Sequence, residues 1–200
     1  MQNGQSLPLP RCPHCNVAKP SLNNLGGANT TDDRGTNERW WNMYKCAICG
    51  GVTLAVAPFK DVNRRIQGPI THIWPEPRMV HDSLPERAKA YLQQAIASIA
   101  APAGAVILAA SAVDSMLKEK GLKGGSLHKR IEEAAAQHLI TAEMAEWAHE
   151  VRLDANDQRH ADEDGALPDE ADAHRSIEFA TALAQFLFVL PSLVAQGRAR

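Results

Sequence analysis

The stretch Cys46-Ala47-Ile48-Cys49-Gly50-Gly51 decides the fold of the N-terminal part of this 200-residue chain. The same cysteine spacing occurs earlier in Cys12-Pro13-His14-Cys15, and the two pairs use all four cysteines of the sequence. Two residues between cysteines let both thiolates of a pair point at one centre, and two such pairs complete a tetrahedral shell. The glycines after the second pair let backbone N–H groups approach the sulfurs. The pattern predicts a metal centre with the ligands Cys12, Cys15, Cys46 and Cys49.

The ion expected at this centre is one structural Zn²⁺, which favours four thiolates in a tetrahedron. A redox-active cysteine pair and an iron–sulfur centre are the alternatives. A closed shell of four thiolates leaves no position for water, so the ion would stabilise the fold and would not catalyse a reaction. His14 lies inside the first pair and is a possible competing ligand.

Composition is close to that of soluble globular proteins, with 44% hydrophobic and 22% charged residues. The first six residues lack the basic and apolar start of a signal peptide, and the longest apolar stretch, 179–194, contains Gln185 and Pro191. We therefore expect a cytoplasmic protein that does not bind membranes.

The charged residues are distributed unevenly along the chain. Residues 1–80 hold 9 Lys and Arg against 5 Asp and Glu, and the remainder holds 12 against 18, which gives the formal net charge of -2. This weak basic bias does not indicate a broad surface for polyanions.

A change in composition divides the sequence into two parts. Glycines and prolines interrupt any regular pattern between Gly68 and Pro85, and Ala, Leu and Glu dominate afterwards. We predict a zinc ribbon domain over 1–67, a Pro-rich linker over 68–82 and a helical bundle domain over 83–200. The expected fold class is mainly α, an antiparallel bundle of about five helices with a small N-terminal zinc ribbon of short β-strands.

Local patterns predict the elements of each part. Short strands are expected at 39–45 and 52–57, and the polar stretch 21–35 is expected to be an exposed loop. Trp40 and Trp41 either present an aromatic platform for nucleic-acid bases or pack against the two domains. Helices are expected to begin near the following residues: Ser83, Pro102, Ser126, Thr141 and Asp169. The last helix should end at Pro191, and its apolar circumference suits a central helix or one shared with a second copy.

The fourth predicted helix carries three polar residues at a spacing of four, Arg152, Asn156 and His160. This spacing places a cation, an amide and an imidazole on one helix face. Together they could bind a phosphodiester and transfer a proton. They could equally bind loop carbonyls and cap the C-terminal end of the helix.

Other polar groups of the helical part have simpler interpretations. Histidines 128, 138, 149 and 174 are scattered over different helices and are interpreted as surface groups or hydrogen-bonded core groups. The acidic segment 162–172 is interpreted as a solvated loop, with a divalent-cation site as the alternative. The glycine-rich stretch 121–126 is either an ordinary turn between helices or an anion site at a helix start.

The sequence from about Leu84 to Leu193 resembles the domain of unknown function 4145 family of bacterial proteins. The resemblance rests on the helix that starts at 84–86, the Ala-rich helix 105–118, the Gly124-Gly125-Ser126-Leu127 turn, and the helix with Arg152, Asn156 and His160. A zinc ribbon ahead of the helical domain is similar to the architecture of many such proteins.

That family is similar to the wider HEPN superfamily of helical bundles, many of which are dimeric, metal-independent ribonucleases of RNA-processing, toxin–antitoxin and phage-defence systems. The superfamily's catalytic arginine corresponds to Ala155 here, and its histidine corresponds to His160. The resemblance implies a homodimer, with RNA, another nucleic acid or a protein as partner.

We therefore expect a zinc-containing, non-catalytic binding or assembly module in a bacterial nucleic-acid-processing or phage-defence context. The alternative is a dimeric, metal-independent ribonuclease with Arg152, Asn156 and His160 as catalytic residues. The sequence alone does not decide whether the protein is an enzyme. A third alternative is a protein that senses small nucleotides.

Overall fold

The computed structural model describes residues 1–61, 63, 65–76, 80–160 and 167–199, with the backbone alone for 157–160. The chain divides into two compact units, Met1–Arg78 and Met79–Arg200. Each unit has a hydrophobic core of its own. The first unit is built from strands and the second from helices.

The N-terminal unit is an antiparallel sheet. Strand β1 (Leu22–Thr30) pairs with β2 (Arg39–Cys46), and β2 pairs with β3 (Val52–Asp61). The other side of β3 pairs with two short strands, β4 (Ile66–Gln67) and β5 (His72–Trp74). Strand β5 lies within the stretch that was expected to be a linker.

A small core covers one face of this sheet. Its buried residues are Leu7, Leu9, Cys12, Leu22, Tyr44, Cys46 and Ala55. The hydroxyl of Tyr44 accepts a hydrogen bond from the N–H of Gly4 at 3.1 Å, which ties the N-terminal segment to β2. Because two of the cysteines belong to this core, the cysteine cluster and the core stabilise each other.

The prediction of a mainly α chain with a ribbon of short strands is wrong. Strands β1 and β3 are 9 and 10 residues long, and five strands form one sheet. The stretch 21–35, predicted as an exposed loop, contains β1. Gly26 has a φ of 125° at a bulge in β1, and a Cβ added to Gly27 would lie 2.2 Å from the carbonyl oxygen of Trp41. Pairing along the whole of β2 outweighs the low strand propensity of glycine and asparagine.

The C-terminal unit contains the helices α1 (Glu86–Ala97), α2 (Pro102–Glu119), α3 (Leu127–Ala136), α4 (Ala142–His160), α5 (Glu170–Ala184) and α6 (Leu190–Arg198). Helix α2 packs against α1, α3, α4 and α5 and so lies at the centre of the core. Its buried residues include Ala105, Ala109 and Ala112. Their small side chains allow neighbouring helices to approach closely.

Local caps start three of these helices at the predicted positions. Ser126 Oγ accepts the N–H of Lys129 at 3.3 Å, and Thr141 Oγ1 accepts the N–H of Met144 at 3.2 Å. Asp169 and Asp172 form a reciprocal capping box at the start of α5. Such caps each contribute about 1 kcal/mol.

The prediction that the last helix ends at Pro191 is wrong. A π turn at Gln185–Val189 joins α5 to α6, and the N–H of Leu190 donates to the carbonyl of Gln185. In a regular α-helix the proline ring would clash with the carbonyl four residues earlier. The wider turn relieves this clash, so the helix continues through Pro191.

The helix Glu170–Arg198 has the length and composition to cross a membrane, and it is the one such helix among the described residues. It has 29 residues and a mean hydropathy of 1.8 in its most apolar window, of which 39% is buried in the protein. The core helix of a soluble protein meets the same criteria, so this is a weak indication of a membrane span. The cytoplasmic location stays a prediction.

Candidate functional site

The first cysteine pair lies in a closed turn. The N–H of Asn16 donates to the carbonyl of Cys12, and the N–H of Cys12 donates to the carbonyl of Val17, both at 3.0 Å. Asn16 has a left-handed φ of 56°, which asparagine tolerates better than most residues. The N–H of His14 also donates to Cys12 Sγ at 3.4 Å. The backbone of this turn therefore stabilises a thiolate at Cys12.

The second cysteine pair repeats the same turn. The N–H of Gly50 donates to the carbonyl of Cys46, and the N–H of Cys46 donates to the carbonyl of Gly51, again both at 3.0 Å. Gly50 has a φ of 74° and occupies the left-handed position that follows the second cysteine. The N–H of Gly51 donates to Cys49 Sγ at 3.4 Å. The two pairs are equivalent in backbone geometry.

These turns bring the four sulfurs together. Each sulfur lies within 4.8 Å of the other three, and Cys12 Sγ and Cys49 Sγ are 3.9 Å apart. A tetrahedral zinc ion with Zn–S bonds of about 2.3 Å would hold its sulfurs about 3.8 Å apart, close to this distance. All four are free thiols; Cys12 and Cys46 are buried, and Cys15 and Cys49 are exposed. The four cysteines could hold a metal ion at the edge of the core.

The thiols of the cluster differ in their affinity for protons. Burial acts to raise the pKa of Cys46, but hydrogen bonds from the N–H groups of Cys49 and Ile48, together with those from the thiols of Cys12 and Cys49, outweigh it and lower this pKa to about 7. Burial raises the pKa of Cys12. The N–H of Val17 acts to lower the pKa of Cys15, but burial and the neighbouring thiols raise it to about 12. Metal binding would displace these protons because a coordinated sulfur is a thiolate.

His14 is held outside the cluster. Its Nε2 lies 2.9 Å from the carbonyl oxygen of Val52, at the start of β3. Its ring packs so closely on Gly51 that a Cβ added there would lie 2.5 Å from His14 Cγ. The imidazole therefore joins the first turn to the second, and the four thiols alone make up this group of donors.

The opposite face of the same sheet carries stacked aromatic rings. Strand register places Trp41 of β2, Val56 of β3 and His72 of β5 in one row. The ring of Trp74 stacks on those of Trp41 and His72, with 5.5 Å between the ring centroids in each pair. Val56 beneath them is 3% exposed, whereas Trp74 is 41% exposed. The rings thus cover the sheet and still present aromatic surface to solvent.

Two cations flank these rings on β2. Arg39 and Lys45 are exposed, and the alternation of the strand places both on the face that carries Trp41. Met43, on the same face, is 42% exposed. This aromatic face, defined by Trp41, Trp74 and His72, therefore combines apolar rings with positive charge at both ends of β2.

The two adjacent tryptophans of β2 have different environments. Trp40 points to the core side of the sheet, and its Nε1 donates to Asn42 Oδ1 at 2.8 Å. Trp41 lies on the exposed side, and its partner ring comes from Trp74. Of the two alternatives for these residues, a platform made by Trp40 and Trp41 together does not form, because consecutive strand residues point to opposite faces.

The predicted phosphodiester-binding residues lie on α4. Arg152 is half-buried, and its Nε has no hydrogen-bond partner among the described residues. Asn156 is exposed one turn further along. The side chain of His160 lies outside the described residues. Ala155, where the resemblance to the HEPN superfamily would place a catalytic arginine, is 2% exposed in the core, so an arginine there would point away from solvent.

The glycine-rich stretch 121–126 forms a turn that a buried cation stabilises. The carbonyls of Gly124 and Gly125 accept hydrogen bonds from the guanidinium of Arg130. Arg130 is 7% exposed, and its Nε also donates to Asp114 Oδ1 at 2.8 Å. Carbonyls that face a cation support the interpretation of an ordinary turn between helices. The sequence does not reveal the role of Arg130, because its partners come from α2 and the turn.

The structure brings together two of the scattered histidines. His128 Nδ1 lies 3.3 Å from His149 Nδ1, and Glu132 Oε1 lies 2.6 Å from His149 Nε2. These three side chains form a second group of potential metal ligands among the described residues. The sequence analysis missed the pair because the packing of α3 on α4 brings together residues 21 positions apart.

Comparison with known proteins bears on the helical unit. The family model described as a domain of unknown function (DUF4145) matches residues 93–200. No curated protein and no solved structure matches the chain. The matched residues run from the last turns of α1 to the C-terminus and leave out the four cysteines. Because the match covers more than half of the chain, the protein belongs to the DUF4145 family.

Proposed function

We propose that this protein is a zinc-stabilised binding module, without catalytic activity, whose aromatic face binds single-stranded nucleic acid. The observation that carries the proposal is the row of stacked rings, Trp41, Trp74 and His72, on an exposed sheet face. Nucleic-acid bases stack on aromatic rings with little dependence on sequence, and each stacked base contributes about 1–3 kcal/mol. A bacterial nucleic-acid-processing or phage-defence context suits such a module.

Zinc is the ion that we propose for the cysteine cluster. Soft thiolates and a closed shell of four ligands are typical of structural zinc sites. The contact between Cys12 Sγ and Cys49 Sγ joins the two pairs, whereas a redox-active disulfide would form within one pair. One ion would thus tie the segment before β1 to the turn between β2 and β3.

The positive charge around the rings supports a nucleic acid as the partner. Arg39 and Lys45 extend from the same face of β2 as Trp41, so their charges would favour the phosphates that flank a stacked base. Each phosphate contact with a single strand contributes about -0.7 to the slope of log K against log salt. Because only two cations on β2 flank the rings, we expect the binding affinity to depend modestly on salt, with base stacking as its main source.

Fluorescence anisotropy with short labelled single-stranded RNA and DNA tests this proposal. Trp74→Ala should weaken binding about 5- to 150-fold, which corresponds to the loss of one stacked base. Trp40→Phe is the matched control, because Trp40 lies on the core side of the sheet and should not affect affinity. Arg39→Ala and Lys45→Ala should each reduce the salt slope by about 0.7. Absence of binding by the wild type, or equal losses in Trp74→Ala and Trp40→Phe, would refute the proposal.

A second copy of the chain is the proposed protein partner. Phe186, Leu190, Leu193 and Val194 are 41% to 59% exposed. Their spacing of i, i+4, i+7 and i+8 is that of one apolar helix stripe, and exposed stripes of this kind often mark interfaces. Sedimentation velocity over a range of concentrations tests the dimer, and a monomer at every concentration would exclude it.

A dimeric, metal-independent ribonuclease is the second candidate function. One observation favours it: the buried Nε of Arg152 has no partner among the described residues, as expected for a cation that binds an anionic ligand. Asn156 and His160 follow at intervals of one turn on α4. The buried Ala155 removes the arginine that would stabilise the reacting phosphate in the related enzymes. This difference is the reason that we favour binding over catalysis.

A further inference from the structure

We propose that His128, His149 and Glu132 form a second metal site, for a divalent transition-metal ion such as Zn²⁺, on the helical unit. Its donors are the Nδ1 atoms of the two imidazoles, with Glu132 positioning His149, whereas the cysteine cluster offers thiolates. The site lies in a different unit from the cysteine cluster. The proposal therefore stands independently of the nucleic-acid-binding function.

Two packed helices position these three residues. His128 and Glu132 lie four residues apart on α3 and share one face, and His149 comes from α4. The start of α3 is anchored by the Ser126 cap and by the buried guanidinium of Arg130. The backbone on which the site is built is therefore fixed before any ion binds.

The distance between the two imidazoles suits a shared ion. His128 Nδ1 and His149 Nδ1 are 3.3 Å apart, and the rings are tilted by 54°. An ion with bonds of about 2.0–2.1 Å to two nitrogens in a tetrahedron holds them about 3.3–3.4 Å apart. The protein thus already has the nitrogen spacing that the bound ion requires.

Glu132 determines which nitrogen of His149 is free to bind. Its Oε1 lies 2.6 Å from His149 Nε2, and a carboxylate accepts hydrogen bonds, so Nε2 carries the proton. In a neutral imidazole the other nitrogen, Nδ1, then has a lone pair, and this is the atom that faces His128. Metal-bound histidines commonly donate their second N–H to a carboxylate in this way. Glu132 is therefore a positioning residue for His149.

The donors and their exposure define the class of ion. Imidazole nitrogens suit Zn²⁺, Ni²⁺ and Cu²⁺, whereas Mg²⁺ and Ca²⁺ prefer oxygen. His128 and Glu132 are exposed and His149 is half-buried. Water would fill the remaining coordination positions, so the ion exchanges with solvent. An ion that bridges α3 and α4 also stabilises the native unit, by an amount that rises with the logarithm of the ion concentration once this exceeds the Kd.

Calorimetric titration of the full chain, with zinc already bound at the cysteine cluster, tests the site. Wild type should bind one further Zn²⁺; His128→Ala and His149→Ala should lose it, and Glu132→Gln should bind it about 10- to 100-fold more weakly. His174→Ala is the matched control, because His174 lies 3.7 Å from Glu170 but belongs to neither group of potential ligands among the described residues. The proposal is overturned if the wild type binds no second Zn²⁺, or if both His128→Ala and His149→Ala still bind it.

A second measurement on the wild type does not depend on how the variants fold. Long-range ¹H–¹⁵N spectra of the histidine rings should show that Zn²⁺ shifts the Nδ1 signals of His128 and His149. The Nε2 of His149 should stay protonated throughout. Unshifted Nδ1 signals, or coordination through Nε2 of His149, would contradict the proposed geometry. The zinc content measured before the titration reports the cysteine cluster separately, so failure at one site is distinguishable from failure at the other.

Discussion

Replacement of Arg130 with methionine should destabilise the helical unit far more than the same replacement at Lys118, although both cations bind Asp114. The Arg130 side chain is 8% exposed, and its Nη2 lies 2.7 Å from Asp114 Oδ1. Its Nη1 also donates to the carbonyls of Gly124 and Gly125. The Lys118 side chain is 46% exposed and binds Asp114 Oδ2 at 2.5 Å, one helical turn away. The two substitutions thus compare a buried and an exposed cation on one carboxylate.

The burial of each cation determines how much its replacement lowers the free energy of unfolding. Removal of one partner of a buried ion pair costs about 3–5 kcal/mol, because the other charge loses its compensation. In Arg130→Met, Asp114 keeps Lys118 and 22% exposure, so the lower end, about 3 kcal/mol, applies. Methionine preserves most of the buried apolar stem of the arginine. Lys118→Met removes a surface i, i+4 pair, which contributes about 0.3–0.5 kcal/mol.

Urea unfolding followed by far-ultraviolet circular dichroism measures both losses. The helical signal reports the C-terminal unit, since the N-terminal unit is built from strands. Zinc should be saturating in every sample, so that loss of metal from the N-terminal unit does not contribute to the measured unfolding. Equal destabilisation by Arg130→Met and Lys118→Met would show that burial does not decide the strength of these ion pairs.

Two further experiments test the proposed roles of the units. Removal of zinc by a strong chelator should unfold the N-terminal unit, whose small core includes Cys12 and Cys46, and should leave the helices folded. Tryptophan fluorescence should then change while the helical dichroism persists, because three of the four tryptophans lie in the N-terminal unit; a joint loss of both signals would contradict this. Incubation with a mixed RNA pool, with no divalent cation added, should produce no cleavage. If the wild type cleaves and His160→Ala does not, the nuclease interpretation replaces ours.

The features that the sequence predicted well are local in the chain. Each cysteine turn is closed by hydrogen bonds among six consecutive residues, so the spacing alone identifies it. The caps at Ser126 and Thr141 act within one helical turn, and the structure has both. The match over 93–200 likewise confirms the family that the helical residues resemble.

The features that the sequence analysis missed depend on distant partners. The stretch 21–35 has the composition of a loop, and only its pairing with β2 makes β1 a strand. The stack of Trp74 on Trp41 requires the pairing of β3 with β5. The contact of His128 with His149 requires the packing of α3 on α4. Composition and spacing carry no information about register or packing partners, so these juxtapositions could not be derived.

Strand β2 connects the cysteine cluster to the aromatic face. Alternation along this strand places Tyr44 and Cys46 on the core side, and Trp41 and Lys45 on the exposed side. A slip of one residue in its pairing would exchange the two sets and bury the ring that we propose for base stacking. A metal ion bound to Cys46 would prevent this slip, because it holds the end of β2 to Cys12 and Cys49. Loss of the ion should therefore abolish nucleic-acid binding even though the ion contacts none of the aromatic rings.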